Sequence, residues 1–103
     1  MNQQKSVLTL LVALLCCVFS IKAQNAGQVT GKVVDTMGEL SGVSIVVKGS
    51  TNGTVTDLDG QFTLSNVKSS DVLVFSFIGY KTQEIKIGNK KVFNVTLVEG
   101  TGT

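Results

Sequence analysis

From residue 28 to residue 98 the larger apolar side chains fall at every second position. Phe62 and Leu64 alternate with Gln61, Thr63 and Ser65; Leu73, Phe75 and Phe77 alternate with Val72, Val74 and Ser76; Phe93, Val95 and Leu97 alternate with Val92, Asn94 and Thr96. Ile85 and Ile87 repeat the pattern against Glu84 and Lys86. A period of two sends successive side chains to opposite faces, the mark of a strand with one buried face. No part of this region carries an apolar stripe at helical spacing.

The pattern predicts seven strands: Val29 to Val34, Val43 to Lys48, Gly53 to Thr56, Gln61 to Val67, Val72 to Phe77, Lys81 to Ile87 and Lys91 to Val98. In Asp57-Leu58-Asp59-Gly60 the aspartates can bond backbone two residues on, and Gly60 accepts positive φ. This unit is therefore expected to close a hairpin between Thr56 and Gln61, and Gly88-Asn89 to do the same before the last strand. Seven short antiparallel strands predict an all-β, seven-stranded antiparallel β-sandwich, with a small closed barrel as the alternative. The apolar row through Phe75 is its expected core.

The first residues follow a different rule. Lys5 precedes an apolar run from Val7 to Phe19 broken only by Thr9, and Ile21-Lys22-Ala23 ends on a small residue. This is the layout of a secretory signal peptide, a helical leader at 1–23 with cleavage expected after Ala23. The run is too short to span a membrane, which takes about 20 residues. The expected organisation is a signal peptide at 1–23, a short linker at 24–27, the sandwich at 28–98 and a linker or tail at 99–103.

Removing the leader alters the chemistry that the composition allows. The chain's formal charge of +2 falls to zero, because Lys5 and Lys22 leave and seven lysines then balance seven acids. No arginine is present, so nucleic acid is not an expected partner. Both cysteines, Cys16 and Cys17, lie in the leader, so the mature part carries neither disulfide nor thiol ligand. Lipidation of either cysteine is disfavoured, because Leu15 or Cys16 precedes it where a small residue is needed. With no histidine in the chain, Ser-His-Asp, Cys-His and histidine-ligated zinc sites are all excluded.

The remaining candidates each have a simpler reading. Asp57 and Asp59 form the one close carboxylate pair, too short for a calcium loop and better explained as turn chemistry than as catalytic acid and base. Tyr80 is expected to pack its ring at a strand corner and bond its hydroxyl to backbone, with sugar stacking as the functional alternative. The segment from Gly49 to Gly53 lacks the residues that would make it a phosphate loop. Asn52 and Asn94 head glycan acceptor triplets, which are uninformative if the source is bacterial. Lys86, Lys90 and Lys91 form a small basic cluster, read as a solvated edge that discourages strand pairing. No catalytic, cofactor or metal residue is expected, and the chain is not expected to be an enzyme.

The segments Val29 to Asp35, Gly42 to Gly49, Gly53 to Asp57 and Asp59 to Leu64, followed by Ile78-Gly79-Tyr80 and Gln83, resemble the carboxypeptidase-regulatory-like domain. The resemblance covers about residues 28 to 98 and implies a transthyretin- or immunoglobulin-like sandwich. The first loop departs from the family pattern, since Met37 to Gly42 lacks the usual proline. In Bacteroidetes such a domain behind a signal peptide opens SusC-like TonB-dependent outer-membrane receptors. The resemblance thus implies a non-catalytic, exported module of the periplasm or outer membrane in glycan or nutrient uptake. The plug and barrel, the TonB system and a SusD-like lipoprotein would then be met only through sequence beyond Thr103. A free-standing secreted binding or adhesion module is the alternative.

Overall fold

The computed structural model describes residues 27–100. The expected leader at 1–23, its two cysteines, the linker ahead of Gly27 and residues 101–103 lie outside the described residues.

Eight strands form where the alternation is strongest: β1 (Gly27–Asp35), β2 (Gly38–Glu39), β3 (Ser44–Val47), β4 (Gly53–Val55), β5 (Gln61–Val67), β6 (Val72–Ser76), β7 (Gln83–Lys86) and β8 (Val92–Thr96). They make two four-stranded sheets. In the first, β1 pairs with β8 along one edge and with β5 and β2, end to end, along the other. In the second the order is β4-β3-β6-β7, with every pair antiparallel.

The predicted inward rows meet between the two sheets. Phe62, Leu64, Leu73, Phe75, Phe93, Val95 and Leu97 are all buried, together with Val29, Val33 and Ile45. The rings of Phe62 and Phe75 touch edge to face across the sandwich, with centroids 5.7 Å apart. Phe77, placed by periodicity in the same row, is only half-buried, because β6 ends one residue before it.

Three connections differ from expectation. The connection from Asp35 to Gly42, expected to be a turn between the first two predicted strands, contains β2, formed because Asp35 Oδ1 accepts from the amides of Met37 and Gly38 and folds the chain back on β1. Asp57 to Gly60 is a tight turn as expected: Asp57 Oδ1 accepts from the amides of Asp59 and Gln61, and Gly60 has φ +76°. Yet it joins β4 of one sheet to β5 of the other, so it is an arch and not a hairpin. Gly88-Asn89 likewise carries the chain from β7 to β8 in the opposite sheet. That crossing brings β8 in at the end where β1 begins, so the two strands run parallel, the one non-antiparallel pairing among the described residues.

The strand directions define two ends. Gly27 and the loops at 48–52, 68–71 and 87–91 share the entry end; the loops at 36–37, 40–43, 56–60 and 77–82 share the exit end with residues 97–100.

Thr56 holds the exit-end arch to the second sheet. Its buried hydroxyl donates to the Leu40 carbonyl at 2.6 Å and accepts from the Val43 amide at 2.9 Å. Thr56→Val keeps the shape and strands both groups, which costs about 1–3 kcal/mol per buried unsatisfied group. A clear fall in the urea midpoint is expected for valine and little change for serine; equal midpoints for the two variants would refute the role.

Candidate functional site

At the exit end, three separate pieces of chain are pinned together. Asp35 closes β1, and its second carboxylate oxygen accepts a short hydrogen bond from the Tyr80 hydroxyl. The Tyr80 ring leans on Phe77, with centroids 5.7 Å apart, and its backbone bridges to Glu99. Lys81 donates its amide to the Val98 carbonyl and Gly100 donates to Gly79, both within hydrogen-bond distance at 2.8 and 3.0 Å. The strand corner expected for Tyr80 is therefore present. Its hydroxyl partner is a carboxylate rather than backbone, a pairing invisible in a sequence where Asp35 and Tyr80 stand far apart.

This pairing moves both groups away from their ordinary values. The Tyr80 hydrogen bond, reinforced by the Met37 amide, holds the Asp35 carboxyl below its usual 3.8 against the opposing effect of burial. The same bond, followed by burial and the charges of Asp35 and Glu99, pushes the Tyr80 hydroxyl up from 10.0 to about 12. A carboxyl with a lowered pKa stabilises the fold above its unfolded value and loses that contribution as pH falls through the folded one. A hydroxyl with a raised pKa stabilises below 10.0 and loses the contribution as pH climbs toward 12. The corner should hold from about pH 4 to pH 10 and weaken outside that window. Since the chain has a single tyrosine, its ultraviolet titration reads this site directly. Asp35→Asn is expected to bring the titration midpoint back toward 10; an unchanged midpoint would show that the bond to Asp35 is not its cause.

The other candidates fall elsewhere. The Asp57 carboxylate is occupied by the Asp59 and Gln61 amides. Among the described residues no group of three or more carboxylate, imidazole or thiolate side chains converges as metal ligands. Gly49 to Gly53 forms the β3–β4 hairpin, where Ser50 Oγ accepts from the Asn52 amide. The Asn52 side chain itself donates to the carbonyls of Ser65 and Asn66, while Asn94 stands exposed on β8.

Lys86, Lys90 and Lys91 are exposed at the entry end, where Lys68 and Lys48 join them against Asp71 and against Glu84, which pairs with Lys48 at 2.9 Å. The exit end instead gathers Asp35, Glu39, Asp57, Asp59 and Glu99 against only Lys32 and Lys81. Residues 27–100, neutral in sum with seven lysines and seven acids, are thus charged oppositely at their two ends. Net charge cannot show this; only the strand order reveals it.

A two-layer sandwich with glycine at its corners, and with polar side chains engaged in its turns, defines a small all-β module. The chain belongs to the CarboxypepD_reg-like domain family, whose model matches residues 29–101. It is 42% identical over 94 residues to TonB-dependent receptor P39 of Formosa agariphila, covering 89% of this chain and 9% of that protein. It is 40% identical over 104 residues to TonB-dependent receptor SusC of Bacteroides thetaiotaomicron, covering 98% of this chain and 10% of that one. The chain therefore spans about a tenth of the length of these relatives. In fold it is similar to a chain of a type II cohesin–X–dockerin complex from Acetivibrio cellulolyticus, with a TM-score of 0.61 at 18% identity over 74% of this chain and 60% of that one. No helix of the described residues is long and apolar enough to cross a membrane.

Proposed function

We propose that this chain is a non-catalytic, periplasmic, N-terminal extension domain of a TonB-dependent outer-membrane receptor for glycans or related nutrients. The observation that carries the reading is 40–42% identity to two TonB-dependent receptors along nearly the whole of this chain. The side chains are consistent with a module that positions and does not react. Histidine is absent, and the two most plausible acids, Asp35 and Asp57, are committed to neighbouring amides and to Tyr80. In this reading the energy-coupling protein and a SusD-like lipoprotein engage the receptor through polypeptide beyond Thr103.

The test is to read the gene past the Thr103 codon and fractionate the product. An in-frame, barrel-forming polypeptide that carries residues 27–100 into the outer membrane is expected. A stop codon directly after Thr103, with the product free in the periplasm, would overturn the reading in favour of a free-standing module.

A further inference from the structure

At the exit end, three loops each raise one large apolar side chain into solvent. Met37 on the β1–β2 turn is 90% exposed, Leu58 on the β4–β5 arch 89%, and Ile78 on the β6–β7 corner 95%. Isolated exposed apolar residues are ordinary on a surface. Here, however, three occupy the tips of tight turns, positions that favour small or polar residues, and all three turns lie at one end.

The turns are adjacent and rigid. The β1–β2 turn sits in the middle: Gly60 of the arch lies against Glu39 and Leu40 on one side, and Tyr80 of the corner bonds Asp35 on the other. Asp35 bonds the Met37 amide, Asp57 bonds the amide following Leu58, and Tyr80 donates its amide to the Phe77 carbonyl across Ile78 and Gly79. None of the three side chains belongs to the core. The backbone beneath each tip is thus fixed before binding, so docking orders only the side-chain rotamers, a saving that a preorganised face provides.

We propose that the exit end docks against the remainder of the receptor polypeptide, with Met37, Leu58 and Ile78 entering apolar sockets on a surface that carries lysine or arginine opposite the surrounding carboxylates. This rests on the receptor reading above. Two observations choose the occupant. The acidic rim is complementary to a cationic protein surface and repels anionic lipid headgroups. The chain also leaves the domain at this same end, through Val98 to Gly100 fastened beside Tyr80, so polypeptide that continues from here is tethered next to the three tips. A second copy is a poorer partner: the hollow at its basic end is rimmed by Lys68, Ser69, Asn89 and Lys91, and the apolar side chains that also line it, Val29, Val67 and Ile87, are buried in its own core.

Met37 is its own probe, because hydrogen peroxide oxidises an exposed methionine to the sulfoxide and peptide mass spectrometry reads the rate. The measurement compares the 103-residue chain with the whole receptor in outer-membrane fractions. Oxidation of Met37 is expected to be at least about tenfold slower in the receptor. Leu58→Ser with Ile78→Ser should restore the fast rate, as should high salt in part, whereas Lys90→Gln with Lys91→Gln should leave the protection intact. Thermal melts of the serine variants confirm that the fold persists. Equal oxidation rates in chain and receptor would overturn the proposal while leaving the receptor reading untouched. Protection that grows with the concentration of the 103-residue chain alone would assign the face to a second copy, and overturn it too. A gene product lacking any membrane-embedded portion would overturn both.

Discussion

Phe75→Ala is expected to bring the domain to the edge of unfolding. Phe75 is fully buried on β6, between Ile45 on β3 and Gln83 on β7. Its ring is the point at which the second sheet reaches Phe62 of the first, edge to face at 5.7 Å. Truncating a buried phenylalanine costs about 3–5 kcal/mol, part of it for the cavity that rigid sheets cannot close. At roughly 0.05–0.15 kcal/mol per residue, a domain of about 75 residues has roughly 4–11 kcal/mol in total. One side chain thus holds a large share of the stability. In urea the midpoint is expected to fall by several molar or the folded baseline to vanish, with Phe75→Leu in between. A midpoint shift below about 0.5 M, with an m-value near 1 kcal/mol/M, would show that the two sheets do not meet at this ring.

The inward rows were legible in the sequence because a period of two is local: Phe62 and Leu64, or Phe93 and Val95, declare their side of the strand without reference to any partner. The sandwich follows from those rows alone. What alternation does not contain is which strands become neighbours. Asp57-Leu58-Asp59-Gly60 has the same local chemistry in an arch as in a hairpin, since its hydrogen bonds run within the turn and ignore what the flanking strands pair with. The parallel partnership of β1 and β8 is equally silent, joining the two ends of the module. The same limit hid the functional candidates. Asp35 meets Tyr80, and Met37 joins Leu58 and Ile78, only because four loops share one end of the fold. β2 escaped notice for a different reason: two residues are too few to show any period.

Gly31→Ala is expected to be strongly destabilising, because among the described glycines an added Cβ comes closest to backbone here. In the interior of a strand, alanine for glycine ordinarily stabilises by about 0.5–1 kcal/mol through the unfolded chain. At Gly31 that sign should reverse. β1 is the one strand paired along both edges in the first sheet, and Gly31 stands opposite Phe62 on β5 and Phe93 on β8. A Cβ there would lie 2.1 Å from the Phe93 carbonyl oxygen and 2.6 Å from the Phe62 ring. The ring can tilt, but the carbonyl is backbone and moves only if β8 moves with it. Overpacking of this kind typically costs about 1–3 kcal/mol and more where backbone must shift. Gly79 separates this effect from backbone strain. There φ is +88° and an added Cβ meets nothing within 4 Å, so alanine costs only the left-handed conformation, about 1–2 kcal/mol. Gly31→Ala should therefore lower the urea midpoint more than Gly79→Ala. Its loss should appear as faster amide exchange along β8, since that strand must separate from β1 to admit the methyl group. If Gly31→Ala leaves exchange in residues 92–96 unchanged, β8 does not pack against β1 in this register.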